Sequence, residues 1–318
     1  MNTPITRAEG ASRNSTAPIH RELGSVRWLR DFDAALAQSR ATGKPVLILF
    51  DEVPGCHTCI SFGETVLTHP LIVEAAEDLF VPVAVFNNIE GADRAVLKSF
   101  NEPEWNNPVV RIVDAQRTEL VPRVDGDYSP RGVVLAMAAA LRKTGRAVPG
   151  YLSIMAEEFG SHSREKAVYS MHCFWEGEAR LGAVPGVLAT RTGFQNGREV
   201  VEVTYDSARV RRQALDAAAK VIACTREAEG GPVTPSAKDD KYQLRGTPFE
   251  SLPMTPAQAS RMNAASGDPD VAKRVLSPRQ AALLDQIQRS PKAGWPITIG
   301  REDIASAWRE VASVAGAP

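Results

Sequence analysis

The 318-residue chain is predicted to be an α/β protein of two modules. An alternating helix–strand domain spans about 24–147, and a small split α+β domain spans 165–250. Three observations carry this reading. The run "KPVLILF" is short, continuously apolar and branched, as in a central strand buried on both faces. Helical and strand patterns alternate around it. Further on, "VLATRTGF" and "REVVEVTYD" are two strands joined by Gln195-Asn196-Gly197, a strong hairpin signal. The remainder reads as a flexible N-terminus (1–23), a linker (148–164) and a helical C-terminal extension (251–318).

In the first module, Trp28, Phe32 and Leu36 recur every fourth residue and predict an amphipathic helix ending near Gly43. Helices follow to about Val66 and across "PLIVEAAEDL". "FVPVAVF" and "PVVRIVD" supply a second and a third strand. A closing helix has Ser129 as N-cap, Pro130 at its first position, Gly145 as stop, and Val134, Met137, Ala138 and Leu141 as its buried stripe. In the second module, "KAVYSMHCFWEGEARLGAVPGV" reads as strand, sharp turn and helix, and "RVRRQALDAAAKVIAC" as a helix. Residues from Glu227 to about Asp240 are a loop. Thr255-Pro256 and Ser277-Pro278 mark helix starts in the extension, and a further helix covers "REDIASAWREV".

Hydrophobic residues make up 43% and charged residues 24% of the chain, with a net charge of −1, which fits a soluble globular protein. There is no basic excess for nucleic acid and no apolar run near the length of a membrane span. The polar N-terminus lacks the apolar region of a secretory signal, so the expected location is cytoplasmic, with thiols mostly reduced. Four cysteines in a chain this long do not make a disulfide scaffold. No cofactor is implied.

The stretch "VPGCHTC" places Cys56 and Cys59 directly after the buried strand, at a helix start. Partial positive charge and open N–H groups there favour a thiolate. Cys56 is then the exposed nucleophile and Cys59 the resolving thiol, with His57 able to favour the thiolate. The alternatives are a metal clip and one reactive cysteine beside an inert buried one; a zinc site normally needs four ligands, and no second CxxC or HxxxH is present. The order helix, "KPVLILF", "VPGCHTC", helix, strand, "NNPVVRIVD" resembles the thioredoxin-like fold. That resemblance implies that Pro108 is a cis-proline facing the CxxC and docking the substrate. Thr58 replaces a proline common in relatives. The "VPG" lead-in is similar to a thioredoxin-like group in which some members carry selenocysteine at the position of Cys56.

A third cysteine, Cys173, opens the helix "HCFWEGEARL", followed at once by Phe174 and Trp175. The combination suits an activated thiolate beside an apolar wall, or else three core residues at a strand–helix junction. "HCFWEGEARLGAVPGVLATRTGF" with "GREVVEVTYD" resembles the A-type peptide methionine sulfoxide reductases. That resemblance implies that Cys173 attacks the sulfoxide sulfur, that Phe174 and Trp175 hold the methyl group, and that Glu199 protonates the oxygen. Glu199 needs burial to do so; the alternative is an outward-facing strand residue. His172 stands where the family has glycine, and can stabilise the thiolate or point to solvent. The short "QNG" turn replaces a loop carrying a substrate-pocket tyrosine, and Tyr242 stands in for a second one.

A sulfenic acid on Cys173 needs a resolving thiol. The candidates are Cys224, otherwise a buried core cysteine, and the Cys56/Cys59 pair, held at roughly millimolar effective concentration by fusion on a linker. The favoured function is a thiol-based reductase of peptide or free methionine S-sulfoxide. It acts on oxidised protein or peptide partners and draws on an unidentified thiol electron donor. The alternatives are a thiol–disulfide or peroxide-handling oxidoreductase with a degenerate second module, and a soft-metal binder using Cys56, His57, Cys59 and Cys173.

Overall fold

The computed structural model describes residues 20–221, 224–226 and 231–315. β1 (Val46–Asp51) is the centre of a three-stranded sheet. β2 (Val81–Phe86) lies parallel on one side and β3 (Val109–Val113) antiparallel on the other. Every residue of β1 is buried because helices cover both faces. Leu47 and Leu49 join Val110 and Ile112 beneath α3 (Pro70–Leu79), α5 (Pro130–Lys143) and α6 (Gly150–Gly160). Val46, Ile48 and Phe50 face the other way, into a cluster with α1 (Phe32–Thr42) and α4 (Ala92–Ser99). The first helix starts at Phe32 rather than near Trp28, because the Asp31 carboxylate accepts from the Ala34 N–H and caps it there.

Two expected boundaries change. Residues 148–164 are not a bare linker: they contain α6, which buries Tyr151, Leu152 and Met155 against the first core, an apolar stripe at helical spacing. Residues 20–23, expected within the flexible N-terminus, include a 3₁₀ turn at Arg21–Leu23 that buries Glu22. It sits so close to α2 (His57–Thr65) that a Cβ on Gly63 would lie 2.0 Å from the Arg21 carbonyl oxygen. Residues 1–19 lie outside the described residues.

The second sheet is antiparallel throughout, in the order β7–β4–β6–β5–β8. It comprises β4 (Arg164–Ser170), β5 (Val187–Gln195), β6 (Arg198–Asp206), β7 (Thr225–Arg226) and β8 (Thr234–Pro235). Asn196 and Gly197 turn between β5 and β6 with φ of 51° and 75°, the left-handed values that a two-residue hairpin turn demands. α7 (Phe174–Gly182) and α8 (Arg212–Val221) cover one face, enclosing Tyr169, Val201, Val203, Tyr205, Leu181 and Leu215.

The C-terminal extension holds α9 (Pro256–Ala264), α10 (Pro269–Val275), α11 (Pro278–Arg289) and α12 (Ile304–Ala315). Thr255 with Gln258 and Ser277 with Gln280 form capping boxes ahead of α9 and α11. These helices touch both modules. Ser260 Oγ on α9 accepts from the Thr190 N–H of β5 at 3.0 Å, while Arg279 on α11 pairs with Glu77 of α3 at 2.8 Å. Ile304 and Trp308 of α12 pack into the first module's core. No helix among the described residues is long and apolar enough to cross a membrane.

Candidate active site

β1 delivers the chain through Val53-Pro54-Gly55 to the first turn of α2. Cys56 is the N-cap, and its Sγ accepts from the Cys59 N–H at 3.1 Å. Cys56 and Cys59 form a disulfide with Cα atoms 5.2 Å apart. In the reduced pair, that N–H and the helix dipole favour the Cys56 thiolate. Cys56 is half-buried and Cys59 fully buried, so Cys56 is the sulfur that a partner reaches. His57 is exposed.

The Asn107–Pro108 peptide is cis, and Asn107 Oδ1 lies 3.2 Å from Cys56 Sγ and 3.0 Å from Cys59 Sγ. Its Nδ2 donates to the Glu104 carbonyl at 3.3 Å. Glu22 Oε1 accepts from the Gly55 N–H at 2.9 Å and anchors the lead-in. Asp51, at the end of β1, is fully buried with Oδ2 unpartnered, and burial pushes its carboxyl up to about 8. Sequence reasoning missed Asn107, Glu22 and Asp51. The only available signals were an asparagine before the singled-out proline and an acid closing an apolar strand.

Cys173 is exposed at the N-cap of α7. Phe174 is buried behind it, and its N–H donates to Glu199 Oε2 at 3.0 Å. Glu199 is half-buried and meets the backbone beside Cys173 instead of projecting freely from β6. The Trp175 indole stacks on Tyr242, with ring centres 3.9 Å apart and planes 9° from parallel. Its Nε1 donates to Asp239 Oδ1 at 3.2 Å. Phe194, across from Glu199 in the hairpin, lies 5.5 Å from Phe174. Phe194, Trp175 and Tyr242 thus form a partly exposed aromatic wall at the N-terminal end of α7, while His172 is exposed at the turn.

A buried ion cluster holds the segment that carries Tyr242. Lys241 Nζ donates to Glu178 Oε1 at 2.8 Å, to Asp240 Oδ1 at 2.9 Å and to the Thr190 carbonyl at 2.6 Å. Its backbone N–H donates to Glu178 Oε2 at 2.8 Å. Asp239, Phe194 and Lys241 carried no signal in the sequence, because each acts through a contact between distant elements.

Cys224 follows α8 and packs in the second core with its Sγ 3.8 Å from Met171 Sδ. Burial pushes its thiol up to about 11. That environment suits the buried-core alternative far better than a reactive thiol. Among the described residues, no cluster of three or more His, Cys, Asp or Glu side chains is arranged to hold a metal ion. Two cavities, of about 550 and 610 Å³, lie against the C-terminal helices, and neither is lined by a cysteine.

Residues 27–115 match the family model described as Thioredoxin-like. A solved chain titled DsbH oxidoreductase is similar at 19% identity, covering 42% of this chain and 95% of that one, with a TM-score of 0.32. No curated protein matches the chain. The first module carries a thioredoxin-like domain, and its CxxC cysteines, Cys56 and Cys59, are joined as a disulfide. The family match ends at residue 115 and does not reach the second sheet.

Proposed function

We propose that Cys173 reduces methionine S-sulfoxide, free or within an oxidised protein or peptide, and that the Cys56/Cys59 pair returns Cys173 to the thiol. The observation supporting this reading is the convergence of Cys173, Glu199, Trp175 and Tyr242 at the N-terminal end of α7. The aromatic wall receives the methyl group and the Cys173 thiolate attacks sulfur. Glu199 hands a proton to the departing oxygen, giving the thioether and a Cys173 sulfenic acid. Cys56 then attacks the Cys173 sulfur, releasing water and forming a mixed disulfide. Cys59 attacks Cys56, frees the Cys173 thiol and leaves the Cys56–Cys59 disulfide for an external thiol donor in a reducing cytoplasm.

The test is the methionine formed by fully reduced, desalted protein. Wild type should yield about two equivalents per chain, Cys56→Ser about one and Cys173→Ser none. If wild type yields no methionine but still reduces insulin disulfides, the second module has no sulfoxide activity, and only thiol–disulfide exchange remains.

A further inference from the structure

The connection from α4 to β3 passes directly over the Cys56–Cys59 sulfurs and displays a large apolar side chain there. Trp105 is 81% exposed, two residues before Asn107, whose Oδ1 lies within 3.2 Å of both sulfurs. Isolated exposed apolar residues are ordinary and need no explanation. Here, however, the turn bearing the indole is tied down on every side. Glu102, with its side chain fully buried, takes ion pairs from Arg111 at 3.1 Å and from Arg123. Asn87 Nδ2 donates to the Asn106 carbonyl at 3.1 Å, Asn106 N–H donates to the Pro103 carbonyl at 3.1 Å, and Arg94 pairs with Glu104.

The neighbouring loop is built alike. Asn88 Oδ1 accepts from the Val53 N–H at 3.4 Å and its Nδ2 donates to the Pro54 carbonyl at 3.3 Å, locking that loop to the CxxC lead-in. Ile89, next in the chain, is 43% exposed. Two apolar side chains are therefore held out from loops that both grip the redox pair. Five cavities of about 350 to 610 Å³ among the described residues are lined by neither Trp105 nor Ile89. An open surface with a rigid indole suits a macromolecular partner, because small ligands need a concave site and buried tryptophans dominate protein contacts. Pinning the turn beforehand removes the ordering cost of binding.

We propose that Trp105 is a specificity-determining residue of the CxxC site. It docks an apolar side chain flanking the cysteine of an extended segment in a disulfide-containing protein substrate. This inference rests on the thiol oxidoreductase reading of the first module and not on sulfoxide reduction. In the exchange, the reduced Cys56 thiolate attacks one substrate sulfur, and the other substrate sulfur leaves as a thiolate. Cys59 then attacks Cys56, the second substrate thiolate leaves, and two electrons have passed from the pair to the substrate.

The test compares insulin with hydroxyethyl disulfide as substrates of the full-length chain, as wild type, Trp105→Ala and Trp105→Phe. Trp105→Ala should raise KM for insulin about tenfold with little change in kcat, and Trp105→Phe should recover most of the loss. The rate with hydroxyethyl disulfide should stay within about twofold. An unchanged KM for insulin overturns the proposal, as does an equal loss on both substrates. So does a dimer seen by sedimentation in wild type and lost in Trp105→Ala, which would make a second copy the occupant. If wild type reduces neither substrate, it is the oxidoreductase reading that fails.

Discussion

Lys241 donates from both its backbone N–H and its Nζ to the Glu178 carboxylate, at 2.8 Å each, in the interior of the second module. The grip fixes the next residue, Tyr242, flat against Trp175, which stands three positions before Glu178 on the same helix. One buried ion pair thereby sets the geometry of an aromatic wall that it does not itself touch.

Replacing Lys241 with Met would leave the Glu178 and Asp240 carboxylates buried without their cation. Removing one partner of a buried pair costs about 3–5 kcal/mol. Lys241→Met should lower the denaturation midpoint accordingly. Tyr242→Phe, which keeps the stack, should leave it nearly unchanged.

The two cysteines outside the disulfide should differ sharply in reactivity. Cys173 is exposed at a helix N-terminus, whereas the Cys224 thiol is buried and pushed up to about 11. Iodoacetamide at neutral pH should label Cys173 at once and Cys224 only after unfolding, as read by peptide mass spectrometry. Equal labelling of the native protein would contradict the burial of Cys224.

Asp51 gives a pH signature. Its folded carboxyl is pushed up to about 8 by burial, against 3.8 in the unfolded chain, so the folded state holds the proton more tightly. The stability this supplies is fully present below about pH 4 and is lost as pH rises through 8. Wild type should lose stability relative to Asp51→Asn across that window, by an amount on the order of a few kcal/mol. Parallel pH profiles for the two proteins would refute the burial effect.

Gly63→Ala should be destabilising by about 1–3 kcal/mol, because its Cβ would meet backbone atoms of Arg21 and Glu22 that cannot swing aside. The turn would shift and Glu22 would release the Gly55 N–H. Thermal unfolding checks the first effect, and faster hydrogen exchange at Gly55 the second.

The features legible in the sequence were those written in local chemistry. The continuous apolar run of β1, the Asn196-Gly197 turn, the proline-first helices and the thiol pair after a strand each announce themselves within a few residues. The sequence of α6 reads as a linker because its apolar stripe is brief and bounded by proline and glycine, yet tertiary packing makes it a helix. Asp239 on Trp175, Lys241 on Glu178 and Asn107 over the sulfurs join residues far apart in the chain or carry no distinctive type. Only the folded geometry brings them together.

The helices that embrace both modules change the physics of any exchange between the thiols. With α6 folded into the first core and α9, α11 and α12 bonded or packed across, the two halves are joined by more than the connecting chain. Lengthening the connection would then leave the exchange rate unaltered, whereas loosening the C-terminal clasp would alter it. The clasp acts as the molecule's chassis, and in the proposed relay its orientation would decide which sulfur meets which.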